Sequence, residues 1–195
     1  MASIVLATED ELSEQVGLSL ANEAGLQVGL CLRKGGNGYL RSRLSSFCQM
    51  ARTQTVFVIT DLDQIQTPAM LIADWFGKQH RPDKLLFRVA VREIESWLIA
   101  DHLAIRHLFG QKAAKLPNSP DELPDAKQTL LRLAQFAPRS VRDDLVGARG
   151  SVASQGIGYN ARLCEWVRET WRPALAAERS PSLAKARAAL AELPR

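Results

Sequence analysis

The chain has 195 residues, 46% of them hydrophobic and 24% charged, with a formal net charge of +4 from 25 basic and 21 acidic side chains. That balance excludes a disordered chain, a collagen-like fibre and a disulfide scaffold, and no apolar run approaches the roughly 18 residues that a membrane span needs. The opening MASIVLATEDE has no basic flank and turns acidic after a short apolar run, so it does not read as a signal peptide. Cys31, Cys48 and Cys164 are far apart and form no metal or redox spacing. Buried, reduced thiols in a cytoplasmic protein are expected.

Along the first hundred residues, strands and helices alternate. Ser3 to Thr8 (SIVLAT) is an apolar run suited to a buried strand, and Asp10 to Ala24 carries Leu12, Val16 and Leu20 at helical spacing, with Gly25 as a stop. Leu26 to Leu32 reads as a second strand. Arg33 to Gly38 (RKGGNG) reads as a loop, because three glycines in four residues weaken either regular form. Tyr39 to Arg52 repeats Leu40, Leu44 and Phe47 on one helical face, and Thr55 to Thr60 (TVFVIT) is a β-branched third strand. Thr67-Pro68 opens a helix reaching about Gln79. Leu85 to Val91 is a fourth strand, followed by mostly helical sequence from Arg92 to Phe109.

This alternation predicts an α/β core over residues 1–110, with a mostly parallel four-stranded sheet covered by helices on both faces. The proline-rich stretch Ala114 to Pro124 reads as a loop or linker. Residues 111–195 read as a helical C-terminal extension packed on the core, with helices near Asp125 to Phe136, Asn160 to Trp171 and Pro181 to Leu193. Gly147 to Tyr159 is too rich in glycine for a regular element. Trp75, Trp97, Trp166 and Trp171 fall on apolar helical faces and are expected in the core, whereas His80, His102 and His107 have no paired nucleophile.

Charge is unevenly distributed. Met1 to Ala24 holds five acids and no base; Gly25 to Thr60 holds five bases and no acid. An acidic cluster beside a phosphate-binding surface is one consequence of that division, and two solvated faces of opposite sign is the other. Three acidic groups follow predicted strands: Glu9 with Asp10 after the first, Asp61 and Asp63 after the third, and Glu93 and Glu95 after the fourth. Carboxyl ends of strands are where an open parallel sheet places its site. Two carboxylates on one loop suit Mg²⁺ (or Mn²⁺), which keeps several waters and recruits substrate phosphate. Capping of the local turns is the alternative role for each pair.

An acidic residue after strand one, the strand-helix succession and a D-x-D after an apolar third strand together resemble the TOPRIM catalytic domain of topoisomerases, primases and some anti-phage nucleases. AVREIESWLIAD (Ala90 to Asp101) is similar to a stretch of a narrower group of small bacterial TOPRIM-like proteins. That group also has a glycine-rich turn ending in Tyr-Asn, matched by GIGYN (Gly156 to Asn160), then Trp171-Arg172-Pro173 and Ser180 to Leu183. The resemblance implies that Glu9 acts as general acid or base, that Asp61 and Asp63 hold the metal, and that Glu93 and Glu95 are further acidic positions. Glycine usually follows the TOPRIM glutamate. Here Asp10 does, which leaves Glu9 and Glu11 both open for that role. VFVITDLD also resembles the first motif of haloacid-dehalogenase-type phosphatases but lacks the Gly-Thr that normally follows, and a receiver domain would need a lysine after a later strand that is absent.

The expected activity is Mg²⁺-dependent cleavage of nucleic-acid phosphodiesters, in the setting of a bacterial defence system. Glu9, Asp61 and Asp63 would be catalytic, and Arg33, Lys34, Arg41 and Arg43 would grip the nucleic-acid backbone. Tyr159 and Asn160 form a second candidate ligand loop. The competing expectation is a non-catalytic binding or regulatory component of a defence or toxin-antitoxin-like module, with a protein partner and no membrane. Convergence of Glu9, Asp61 and Asp63 in one cleft separates the two.

Overall fold

The computed structural model describes residues 3–110, 115–148 and 150–194. Strands β1 (Ser3–Thr8), β2 (Gln27–Arg33), β3 (Thr55–Asp61) and β4 (Leu85–Ala90) form one sheet in the order β2-β1-β3-β4. Every pairing is parallel. The expected α/β class is therefore found, and the sheet is parallel throughout.

Period-two alternation builds two cores from the central strands. Ile4, Leu6, Phe57 and Ile59 enter one apolar cluster, while Val5, Ala7, Val56 and Val58 enter the other. Helices α2 (Asn37–Ser42), α3 (Leu44–Met50) and α4 (Pro68–Phe76) cover the second face. The first face carries α1 (Glu11–Glu23), α5 (Ile94–Ala100), α6 (His102–Phe109), α7 (Ala126–Ala134), α8 (Arg139–Leu145), α9 (Tyr159–Glu169), α10 (Pro173–Ala177) and α11 (Pro181–Ala191). Each fully buried aromatic or branched side chain in these layers contributes about 1.5–3 kcal/mol.

Several boundaries differ from the sequence expectation, each for a local reason. The helix expected over 39–52 is broken at Arg43, whose N–H reaches the carbonyls of both Tyr39 and Leu40, yet Leu40, Leu44 and Phe47 stay buried together. The helix from Pro68 stops at Phe76 because Gly77 takes a φ of 53°. The long helix expected from Arg92 divides at Asp101. Short helices α8 and α10 are additions to the expectation, since each follows or begins at a proline and spans too few residues to show a period. Ala114, the first residue of the expected linker, lies outside the described residues. The remainder is a loop with one 3₁₀ turn at Pro120–Glu122. Cys48 and Cys164 are buried as expected, but Cys31 is exposed because β2 is an edge strand.

The tryptophans tie the C-terminal helices to α5. Trp97 Nε1 donates to Ser182 Oγ (2.7 Å), Trp171 Nε1 to the Trp97 carbonyl (3.2 Å) and Trp166 Nε1 to the Ala104 carbonyl (3.2 Å). Each buried indole N–H is thus satisfied, the condition under which tryptophan belongs in a core. Trp75 is half-buried, edge-on to Phe87.

Asp101 is wholly buried and serves two elements at once. Its Oδ1 accepts from Ala104 N (3.0 Å), capping α6, and its Oδ2 accepts from Arg172 N (2.9 Å), just before α10. Asp101→Ala strands both N–H groups, so it is expected to destabilise the protein by about 2–4 kcal/mol, from a missing cap and a buried unsatisfied donor. Urea unfolding checks this; a loss below about 0.5 kcal/mol would show that water replaces the carboxylate.

Candidate active site

The paired part of β1 ends against β3 at Ala7 opposite Val58, while β3 runs on to Asp61. The Asp61 N–H therefore points past the end of β1 with no ladder acceptor. Glu9 fills that gap: its Oε1 accepts from Asp61 N at 2.9 Å and from Thr60 Oγ1 at 2.5 Å. Because β2 and β3 lie on opposite sides of β1, Glu9 and Asp61 flank the topological switch point of the sheet. The choice between Glu9 and Glu11 is settled by position. Glu11 is exposed in the first turn of α1, and Asp10 caps that helix through Ser13 N (2.8 Å).

Asp61 is the most perturbed carboxylate here. Burial, and then the carboxylates of Glu9, Glu95, Asp10 and Asp63, hold its pKa well above the ordinary value. Its Oδ1 is buried with no hydrogen-bond partner among the described residues. Burial also raises Glu9, against the opposing hydrogen bonds from Thr60 and Asp61. Asp63 stands on the exposed loop beyond β3, near enough to push both carboxylates upward.

Two non-glycine residues here have left-handed backbone, Asp63 (φ 50°) and Arg92 (φ 65°). Aspartate tolerates that region; for arginine it costs about 1 kcal/mol. The two loops brace each other. Asp63 N donates to the Arg92 carbonyl (2.9 Å), while Arg92 Nη1 donates to the carbonyls of Asp63 (3.1 Å) and Ile65 (3.0 Å). Sequence reasoning does not single out Arg92, because nothing in its local pattern signals a left-handed residue.

Glu93 and Glu95 turn to different tasks. Glu95 is buried rather than on an exposed helix start, and its Oε1 accepts from the Tyr159 hydroxyl at 2.8 Å. Burial raises its pKa, while the Tyr159 hydrogen bond and the Lys127 ammonium oppose the rise. The Lys127 ammonium also sits over the Tyr159 ring, 5.2 Å from its centroid. Glu93 Oε2 accepts from the Lys127 N–H (2.9 Å) in the first turn of α7. Tyr159 thus joins the acidic group from below. Asn160 is exposed on α9 and caps nothing; Gly158 occupies the cap position. Gly156 delivers Tyr159: a Cβ there would stand 2.3 Å from the Asp144 carbonyl oxygen.

The basic stretch lies at the same end of the sheet. Gly36 N donates to the Glu9 carbonyl at 3.1 Å, tying the glycine loop after β2 to the loop after β1, and Gly36 (φ 81°) has the backbone only glycine adopts readily. Arg33 is ion-paired to Glu14 (3.2 Å) and Arg41 to Asp74 (3.0 Å). Lys34 and Arg43 are exposed and form no ion pair among the described residues.

Chemically, a buried, unpartnered carboxylate oxygen amid other carboxylates is suited to a cation. No set of three His, Cys, Asp or Glu side chains among the described residues could by itself hold a metal ion. Glu9 and Asp61 could supply a pair, the number Mg²⁺ takes when water and phosphate complete its shell.

The raised carboxylates predict a pH dependence. The folded state binds extra protons above the ordinary values of 3.8 for Asp61 and 4.5 for Glu9 and Glu95, so stability is full below those values and falls as pH rises through the folded pKa values. Asp61→Asn is expected to melt higher than wild type at about pH 7 without metal, with the gap closing near pH ~4. Melting curves across that range check it; a variant less stable at every pH would show that the Asp61 charge stabilises the fold.

No protein-family model, curated protein or solved structure matches this chain. The fold itself, α/β with a four-stranded parallel sheet, is established by the coordinates.

Proposed function

We propose that the protein is a TOPRIM-like, Mg²⁺- or Mn²⁺-dependent enzyme that cleaves nucleic-acid phosphodiesters. The observation that carries this reading is the buried, unpartnered Asp61 Oδ1 beside Glu9 at the switch point of a parallel sheet. Asp61 and Glu9, with Asp63 at the loop, would hold the cation, which supplies Lewis-acid stabilisation to a phosphoryl oxygen. Glu9, kept partly protonated by burial, is placed to hold or move a proton near the reacting phosphate. Glu95 would act beneath Asp61, oriented by Tyr159. The basic loop at the same sheet end supports a phosphate-bearing substrate, with Lys34 and Arg43 as its uncommitted cations.

Two measurements test this. Calorimetric titration with Mn²⁺ should show binding to wild type that weakens more than about 100-fold in Asp61→Ala, since even outer partners of a metal ligand are worth about 10–100-fold. Cleavage of labelled DNA and RNA should require the metal and disappear in the same variant. Lys34→Ala with Arg43→Ala should leave Mn²⁺ binding intact but weaken nucleic-acid binding, and should reduce its salt slope by about 0.7–0.9 for each phosphate no longer neutralised. The same double change at Arg41 and Arg33 should do less, because Asp74 and Glu14 already neutralise them. Metal-independent cleavage, or Mn²⁺ binding untouched by Asp61→Ala, would overturn the reading and favour a non-catalytic binding module.

A further inference from the structure

The outer edge of the sheet carries a second feature, unrelated to the acidic group. β4 is an edge strand. Its ladder bonds to the β3 side use even-numbered residues: the Lys84 carbonyl accepts from Val56 N, and the Ala90 carbonyl from Leu62 N. Since strand backbone groups alternate sides, the N–H and C=O of Phe87 and Val89 face outward. An open row of this kind is a template for another strand. Along it runs a cavity of about 420 Å³ between α4 and α11, lined by Ile72, Phe87, Val89 and Pro181, with Arg88 and Lys185.

The charge in this groove is uncompensated. Arg88 makes one bond, from Nη1 to the Phe87 carbonyl (3.0 Å), and its Nε is buried without a partner. Neither Arg88 nor Lys185 forms an ion pair among the described residues. Arg81 adds positive potential at Arg88, and Glu192 opposes it without reaching contact. Asp121, also on the lining, is committed to the Ser180 hydroxyl (2.6 Å) and Ser182 N (2.9 Å). A half-buried guanidinium with a free N–H, set over apolar walls, calls for a carboxylate on an apolar chain.

We propose that the β4 edge docks an extended segment of a partner protein, which adds a strand to the sheet and places an acidic side chain on Arg88. The outward backbone of Phe87 and Val89 asks for alternating N–H and C=O groups at strand spacing, which a peptide supplies and a small anion does not. The cations choose an acidic segment. They also disfavour a second copy of this chain, because two β4 edges paired about a twofold axis would set Arg88 near its own counterpart.

The test is selection of linear peptides from a random display library on the full chain, with counter-selection on Arg88→Ala. Enrichment of sequences alternating apolar residues around one Asp or Glu is expected. The strongest such peptide should bind at least about 10-fold more weakly to Arg88→Ala, and more weakly still when its own amides are N-methylated. Val89→Pro removes an outward N–H at a position where an edge strand tolerates proline, and should abolish binding while melting cooperatively. The N-methylated peptide keeps the test decisive if that variant does not fold. Three results would overturn the proposal: no enrichment, enriched peptides that bind Arg88→Ala equally well, or octanoate competing as strongly as the peptide, which would make this a small-anion pocket.

Discussion

The hydrogen bond from the Asp61 backbone to Glu9 is the constraint from which the rest of the acidic group follows. A parallel sheet whose strands end at different heights leaves N–H groups of the longer strand unpaired, and burial makes such a group costly, about 1–3 kcal/mol if left so. Here β3 outruns the paired part of β1, and a side chain, not backbone, closes the ladder. A carboxylate is the strongest neutral-pH acceptor available for two donors at once, the Asp61 N–H and the Thr60 hydroxyl. The role fixes where Glu9 points, and so brings a second carboxylate beside Asp61.

That solution creates the electrostatic problem the site then carries. Two donors hold Glu9, but Asp61 keeps a buried oxygen with nothing to accept from and like charges around it. The fold relieves the neighbouring Glu95 differently, giving it the Tyr159 hydroxyl and the field of Lys127. Both of those groups come from the C-terminal helices. The acidic group is therefore supported by residues on each side of position 110, and the helical portion acts as the floor on which Glu95 is set.

Much of this is legible in the sequence, and the parts that are not share a cause. β1 and β3 are readable because a run such as TVFVIT combines β-branching with continuous burial, and their ends mark Glu9 and Asp61 without further information. What the sequence leaves out are relations between distant segments. Tyr159 stands out only as part of a glycine-rich turn, since no local pattern says that it reaches 64 positions back to Glu95. Arg33 and Arg41 read as free cations because their partners, Glu14 and Asp74, lie in other elements. Cys31 reads as buried because strand hydrophobicity does not say which strand is at the edge.

The glycine-rich segment before α9 shows how such a distant relation is nonetheless specified. Val146 bridges Gln155, closing the loop on itself, and Gly156 N donates to the Leu145 carbonyl at 2.8 Å. At Gly156 the chain passes so close to the end of α8 that a side chain would strike backbone, which no rotamer change relieves. The loop is thus pinned against α8, and α9 starts at a fixed height with Tyr159 in its first turn. Hydrophobic burial of Leu163, Trp166 and Val167 sets the rotation of α9 about its axis. Height from the glycine contact and rotation from the apolar face together aim one phenol at one carboxylate, so a composition that looks merely unstructured encodes the position of a residue in the site.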